Sequence, residues 1–338
     1  MTVAAREHGQ RGLAIEGAAV ELGSDLRFRF APRRFRAPLR GEVRMEVEWA
    51  GVCGSDLHVA RTGRWVREWP AVLGHELFGR IDAIGSGVAI ELGTPIVADS
   101  RIPCGECARC ASSPADCLDL AFIGEACAGG FATHCLLPEA SVVPAPGVDG
   151  AVAVLAEPLA CALHAVGLIA CAPRQVAILG HGPLGALVHL VLRERDASVE
   201  VAVAEPLELR ASLAEALGAK RLADDGDERV FEAVFDVAGC PGSLRRAVEL
   251  CAPGGEVVVV ALAHTGEEID PSLVVEREIV VRGSHAFRDE LPAAVALLRA
   301  APWRFRPLVT DAVELAELPD VFTEELERPR RVKVLVRP

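Results

Sequence analysis

The feature that most narrows the fold is a short apolar run, Val176–Leu179, that ends directly on Gly180-His181-Gly182-Pro183-Leu184-Gly185 and opens a helical stretch, Leu184–Arg193. Glycines at the first, third and sixth positions between a strand and a helix let the chain turn tightly. They also bring free backbone amides to a pyrophosphate at the positive end of the helix. Glu205 lies 20 residues beyond Gly185, at the end of the next apolar run, Val199–Ala204. A carboxylate there accepts hydrogen bonds from ribose hydroxyls and repels a 2′-phosphate. The spacing predicts a dinucleotide site built on Gly180, Gly182, Pro183, Leu184, Gly185 and Glu205, with NAD preferred to NADP. His181 is read as a tolerated variant at a position that can face the pyrophosphate. Further apolar runs, Ala233–Val237 and Val257–Leu262, alternate with helical Leu207–Leu217 and Ser243–Cys251. Continuous apolar strands between amphipathic helices are what a parallel sheet covered on both faces requires.

Upstream the character differs. From Glu42 to about Pro146 the chain is rich in Gly, Pro and short β-branched runs such as Val43–Trp49, Arg80–Ile84 and Ser141–Val143, which predicts a β-rich, loop-rich domain. The tail from about Phe287 carries two helical pieces and a last strand, Arg331–Val336, and can return to that first domain. A length of 338 residues fits about two domains at ~150 residues each. The expected division is 1–157 completed by 286–338, with 158–285 between.

The cysteines supply the second strong pattern. Cys104, Cys107, Cys110 and Cys117 fall within 14 residues, with Pro103 before them and Pro114 inside. Four thiolates fill a tetrahedral zinc and leave no open position, so this quartet is read as a structural site. Cys127, Cys135, Cys161, Cys171, Cys240 and Cys251 sit singly in apolar surroundings and are expected in the core. The other dense polar groups are Cys53-Gly-Ser-Asp-Leu-His58 and Gly74-His-Glu76. Cys, His and a carboxylate suit a catalytic zinc with one position open to substrate. Glu157, the one charge in the apolar stretch Ala151–Ala172, is a further candidate ligand, because a buried carboxylate needs a partner.

CGSDLH at 53–58, VLGHE at 72–76, the quartet, GGFATH at 129–134, AEPLACALHA at 156–165, GHGPLG at 180–185 and PGGEVVVV at 253–260 together resemble the zinc-dependent medium-chain alcohol dehydrogenase family over nearly the whole chain. Within it the polyol, threonine and aminocyclitol branch is the most similar. The resemblance implies an α/β fold: a GroES-like catalytic domain and a doubly wound Rossmann NAD domain. It implies a catalytic zinc on Cys53 and His75, with Glu76 and Glu157 in ligand or near-ligand roles and Asp56 supporting the imidazole. Ser55 and His58 match the family's proton relay. The implied activity is hydride transfer between NAD(H) and a secondary alcohol or ketone of a polyol, sugar or aminocyclitol. Alternatives are a dehydrogenase of a bulkier specialised-metabolite alcohol and a non-catalytic NAD-binding protein. Two positions depart from the family: six residues, not seven, precede the last cysteine, and Thr133-His134 stands where Glu-Tyr is usual. His134 is assigned no role.

Charge and composition exclude other classes. The net charge of −13 argues against nucleic acid and anionic membrane, although Arg27, Arg29, Arg33, Arg34, Arg36 and Arg40, and Arg328, Arg330, Arg331, Lys333 and Arg337, form two basic clusters. These are read as solvated strand edges or a place for a phosphate-bearing substrate. No tyrosine is present to act as a general acid. The first twenty residues hold no apolar run of signal-peptide length, and eleven cysteines suggest thiols and metal in a cytoplasmic chain. Trp65, Trp69 and Phe122 are candidates for a substrate pocket. A homodimer or homotetramer follows from the family resemblance.

Overall fold

The computed structural model describes residues 13–110, 112–222, 231–262, 266, 268–327 and 330–338. These fall into two compact units. One takes the residues up to Glu157, those from Leu291 to Glu327, and Lys333–Pro338; the other takes those from Pro158 to Glu290 and Arg330–Val332. Arg328 of the second basic cluster lies outside the described residues.

The first unit begins with a two-stranded antiparallel ribbon, β1 (Ile15–Leu22) and β2 (Phe28–Phe35). Its main sheet is built on β3 (Glu42–Gly51), where Val43, Met45 and Val47 are buried at period two, as a strand with one core face demands. An irregularity in the pairing between Val47 and Trp49 reverses that phase, so that Ala50 and Gly51 reach the loop after β3 with their inward face changed. Helix α1 (Gly54–Thr62) follows, then β4 (Glu76–Ile84), β5 (Pro95–Ala98), the small pair β6 (Arg101–Ile102) and β7 (Ala121–Phe122), β8 (His134–Pro138) and β9 (Val142–Pro144). Helix α2 (Ala156–Gly167) carries the boundary between the units.

In the second unit β10 (Gln175–Leu179), β11 (Glu200–Ala204), β12 (Lys220–Arg221), β13 (Phe231–Asp236), β14 (Cys251–Val259) and β15 (Val280–Gly283) form one sheet in the order β12-β11-β10-β13-β14-β15. Every pairing is parallel. Counted within the unit this is 3-2-1-4-5-6, the doubly wound order whose switch point falls between the first and fourth strands. Helix α3 (Pro183–Arg195) follows β10. Strand β14 begins at Cys251, six residues before the apolar run that announced it. Pro253-Gly254-Gly255 joins as an irregular stretch opposite Phe231 and Ala233, so its lack of side-chain bulk does not end the pairing.

The chain then returns. β16 (Val309–Glu314) and β17 (Lys333–Arg337) extend the first unit's sheet to the order β16-β17-β3-β4-β5-β9, with β8 also on β3. Helix α4 (Leu318–Glu327) packs Phe322 onto Phe28 at 4.0 Å and edge-on to Phe131 at 5.8 Å. Of the six single cysteines only Cys135 and Cys251 are buried; Cys127 and Cys240 are exposed and Cys161 and Cys171 half-buried. An apolar neighbourhood in sequence does not fix which face of an element a thiol takes. Among the described residues no helix is long and apolar enough to cross a membrane.

His181 does not face outward from its glycine loop. Its side chain is fully buried, with Nε2 3.4 Å from His189 Nδ1 on α3. Burial pushes both imidazoles down to about 4. The unfolded chain takes up these protons near pH 6.5, so the native state is favoured fully above that pH and loses stability as pH falls towards 4. Each histidine should withdraw about 2 kcal/mol between pH 7 and pH 5. His189→Leu is expected to shrink the difference between urea unfolding free energies at those two pH values by that amount; an unchanged difference would show that the pair is not what makes the fold acid-sensitive.

Candidate functional site

Strand register brings the first cluster together. Gly51 at the end of β3 pairs with Glu76 at the start of β4, so the residues just beyond each, Cys53 and His75, arrive side by side. A Cβ on Gly51 would lie 2.1 Å from Glu76 Oε2, which is why this strand end must be glycine. Cys53 is the N-cap of α1, and its neighbour in the first turn, Asp56, serves three partners. Asp56 Oδ2 accepts the Cys53 backbone N–H at 2.9 Å, while Oδ1 lies 3.6 Å from His75 Nδ1 and 3.4 Å from the Gly74 nitrogen. A carboxylate on Nδ1 fixes the ring and leaves Nε2 for a metal. Burial alone would push the His75 pKa down, but Asp56 and then Cys53 more than offset it, and the imidazole titrates well above its ordinary range. Ser55 Oγ is 3.5 Å from His75 Nε2. His58, one turn along α1, is buried and stacked on Trp65 with ring centres 4.6 Å apart.

Cys53, His75 and Glu76 each offer a ligand atom within 4.8 Å of the others. Glu157 lies outside that set: it is buried, and its Oε1 accepts from Ser100 Oγ at 2.7 Å. Burial, with Glu76 nearby, raises its pKa. Glu76 is fully buried and both its oxygens accept from Lys333 Nζ, at 2.7 and 2.6 Å. Lys333 therefore does not belong to a solvated basic cluster. It is fully buried on β17 and also donates to the Val52 carbonyl at 3.0 Å. Nothing in the run Arg330-Arg331-Val332-Lys333-Val334 marks it in the sequence; it is buried because it opens β17, whose first four residues are all buried, while Arg330 before the strand is exposed. The N-terminal arginines do behave as solvated strand residues, with Arg29, Arg33 and Arg36 paired to Asp25, Glu21 and Glu42.

The quartet also closes. Cys104, Cys107, Cys110 and Cys117 present four sulfurs within 4.8 Å of one another, Cys107 and Cys110 at 3.3 Å and Cys104 and Cys110 at 3.6 Å. The Leu118 amide and Cys110 draw the Cys107 thiol down to about 6, while burial and the neighbouring sulfurs push Cys110 up to about 12. Thiols this crowded ionise together only with a cation between them, so the donor set fits zinc. The thiolate–imidazole–carboxylate chemistry of the first cluster fits zinc as well.

In the second unit Gly180 has φ +87°, a conformation only glycine takes without strain, and a Cβ on Gly185 would lie 2.1 Å from the Gly180 carbonyl. The loop thus packs helix against strand with Pro183 in the first turn of α3 and Gly182 as its N-cap. Glu205 follows β11; its oxygens accept the His181 N–H at 2.8 Å and the Leu207 N–H at 2.9 Å. Each oxygen keeps a second lone pair for a ribose hydroxyl.

Comparison with known proteins agrees with this geometry. The family described as Alcohol dehydrogenase GroES-like domain matches residues 39–147, and Zinc-binding dehydrogenase matches residues 183–300. The (R,R)-butanediol dehydrogenase of Bacillus subtilis is 30% identical over 327 residues, covering 88% of this chain and 93% of that protein. The D-altritol 5-dehydrogenase of Agrobacterium fabrum is 28% identical, covering 87% and 91%. Among solved structures, a short chain alcohol dehydrogenase (rspB) of Escherichia coli CFT073 complexed with NADH has a TM-score of 0.87 at 26% identity, covering 96% and 99%.

Proposed function

This chain belongs to the zinc-dependent medium-chain alcohol dehydrogenase family, and we propose that within it the reaction is NAD-linked interconversion of a secondary alcohol of a small polyol, sugar or aminocyclitol with its ketone. It is an oxidoreductase of CH–OH groups that uses zinc and NAD. The carrying observation is the triad Cys53, His75 and Glu76 within 4.8 Å, with Asp56 orienting the imidazole. Cys53 and His75 would hold the catalytic zinc, with Glu76 or Glu157 completing the set and the quartet holding a structural zinc. When bound at the triad, zinc supplies a Lewis acid for the alcohol oxygen. Ser55, at 3.5 Å from His75 Nε2, is the group placed to accept the alcohol proton. His58 lies three residues further on the same helix face, next in line to pass the proton on. Gly180, Gly182, Pro183, Leu184 and Gly185 would present their backbone to the pyrophosphate, and Glu205 would take the ribose hydroxyls. In this reading the GroES-like domain is 1–157 completed by 286–338, and the Rossmann domain is 158–285.

The polyol reading is supported by the diol and alditol relatives above. A homodimer or homotetramer is supported by β15, which among the described residues is an edge strand of the parallel sheet, where Val280 and Val281 are 40% and 39% exposed. A cytoplasmic site is supported by eleven cysteines that are all free thiols in the structure. The test is NADH formation across polyols, aminocyclitols and bulky hydrophobic secondary alcohols, with NAD and NADP in parallel. Turnover of polyols with NAD at least about tenfold more efficient than with NADP is expected, since a carboxylate facing a phosphate costs more than 1.4 kcal/mol. Turnover of bulky alcohols alone would replace the substrate class, and no turnover of any alcohol would remove the catalytic reading.

A further inference from the structure

The loop between β7 and β8 carries an acid that the machinery above does not use. Gly124 rests on the His75 loop, where a Cβ would lie 3.2 Å from the Gly74 nitrogen and the Leu73 Cα. Ile123 donates its N–H to the carbonyl of Ser100, the residue whose hydroxyl holds Glu157. Glu125 is thereby fixed beside the metal cluster and feels both His75 and Asp56. Its side chain is half-buried, and among the described residues it accepts no hydrogen bond and forms no ion pair. Burial raises its pKa, as expected for a carboxylate lacking a donor.

Glu125 lines a pocket of about 420 Å³ together with Trp65, Arg67, Asp119 and Ala126. Trp65, the ring stacked on His58, forms one wall and holds a φ of +73°, a conformation costly for a bulky side chain and therefore imposed by its surroundings. Arg67 and Asp119 neutralise one another at 2.7 Å on the exposed rim. Glu125 feels Arg67 only at a distance, as it does His75, and among the described residues its carboxylate is left as the acid of the pocket without a direct hydrogen bond or ion pair.

We infer that Glu125 is the specificity-determining residue of this pocket: its carboxylate receives a hydrogen-bond donor, hydroxyl or ammonium, on the carbon next to the reacting carbinol, and it turns away substrates with a carboxylate there. This rests on the alcohol-oxidation reading above. An acceptor left without its donor penalises the analogue that lacks one far more than lost contact area does. A second carboxylate brought next to Glu125 would meet like-charge repulsion in a partly desolvated site.

Four probes that share one carbinol separate the possibilities: 2-butanol, 2,3-butanediol, 3-amino-2-butanol and 3-hydroxybutanoate, with holoenzyme and NAD. Glu125→Ala is expected to raise KM for the diol and the amino alcohol about tenfold with kcat little changed, and to leave 2-butanol unaffected. Glu125→Gln, which keeps the volume, should restore much of the diol KM but not that of the amino alcohol, and should improve the hydroxy acid. Zinc content and NADH binding should match the parent in both variants, showing an intact site. Equal effects on 2-butanol and 2,3-butanediol, or none on either, would overturn the role of Glu125 while leaving the dehydrogenase reading in place. A parent enzyme inert on every alcohol would instead overturn that reading and this inference with it.

Discussion

Replacing Lys333 with alanine is expected to cost the fold about 3–5 kcal/mol, the penalty for removing one partner of a buried ion pair and stranding the other. The side chains of Lys333 and Glu76 are 1% and 0% exposed. Burial alone would push the lysine's pKa down, but Glu76 more than offsets it, so the ammonium stays charged. Among the described residues no other basic side chain forms an ion pair with Glu76. Urea denaturation should show the midpoint of Lys333→Ala falling well below the parent's. The double variant Lys333→Met with Glu76→Gln should recover most of the loss, because two uncharged groups of similar volume carry no stranded charge. A Lys333→Ala variant as stable as the parent would mean that Glu76 reaches solvent or another cation, contrary to the arrangement described.

Cys53→Ser is expected to lower kcat/KM by about a thousandfold or more while shifting the unfolding midpoint little. A metal site supplies several kcal/mol of transition-state stabilisation, and each 1.36 kcal/mol is a factor of ten in rate. A serine hydroxyl stays protonated near neutral pH and does not replace a thiolate ligand. Asp56 would still hold His75, and the capping contact from the Cys53 backbone N–H to Asp56 uses no sulfur, so the local fold should persist. Steady-state rates decide it, with Cys240→Ser, an exposed thiol, as the control that should remain at parental activity. Near-parental turnover by Cys53→Ser would take the catalytic metal away from this cluster.

Much of the fold and of the site is legible in the sequence. The glycine loop announced itself because each glycine answers a local need: a positive φ at Gly180 and a close approach at Gly185. The quartet was legible because its ligands are close in sequence, and Cys53 and His75 because they stand in polar islands within apolar stretches. What escaped were partners set by strand pairing over long separations. Lys333 and Glu76 are 257 positions apart, and only the antiparallel placement of β17 beside β3 puts the ammonium over β4. His181 turned inward because the loop's pattern specifies its backbone and says nothing of where an intervening side chain goes. Glu125 lay in a loop whose shape comes from Gly124 meeting Gly74, though a lone acid in the run Ala121-Phe-Ile-Gly-Glu-Ala-Cys-Ala-Gly was a signal that could have flagged it.

The most direct test of the central claim is the zinc content of the purified protein by mass spectrometry, for the parent, Cys53→Ser and Cys104→Ser side by side. Two separate sites, one catalytic and one structural, predict about two zinc ions per chain in the parent and about one in Cys53→Ser, with turnover gone but the unfolding midpoint kept. They predict the opposite pairing for Cys104→Ser, where loss of the structural ion lowers the midpoint. One zinc per chain in both parent and Cys53→Ser would contradict the account, leaving the triad without its metal and the chain without the chemistry assigned to it.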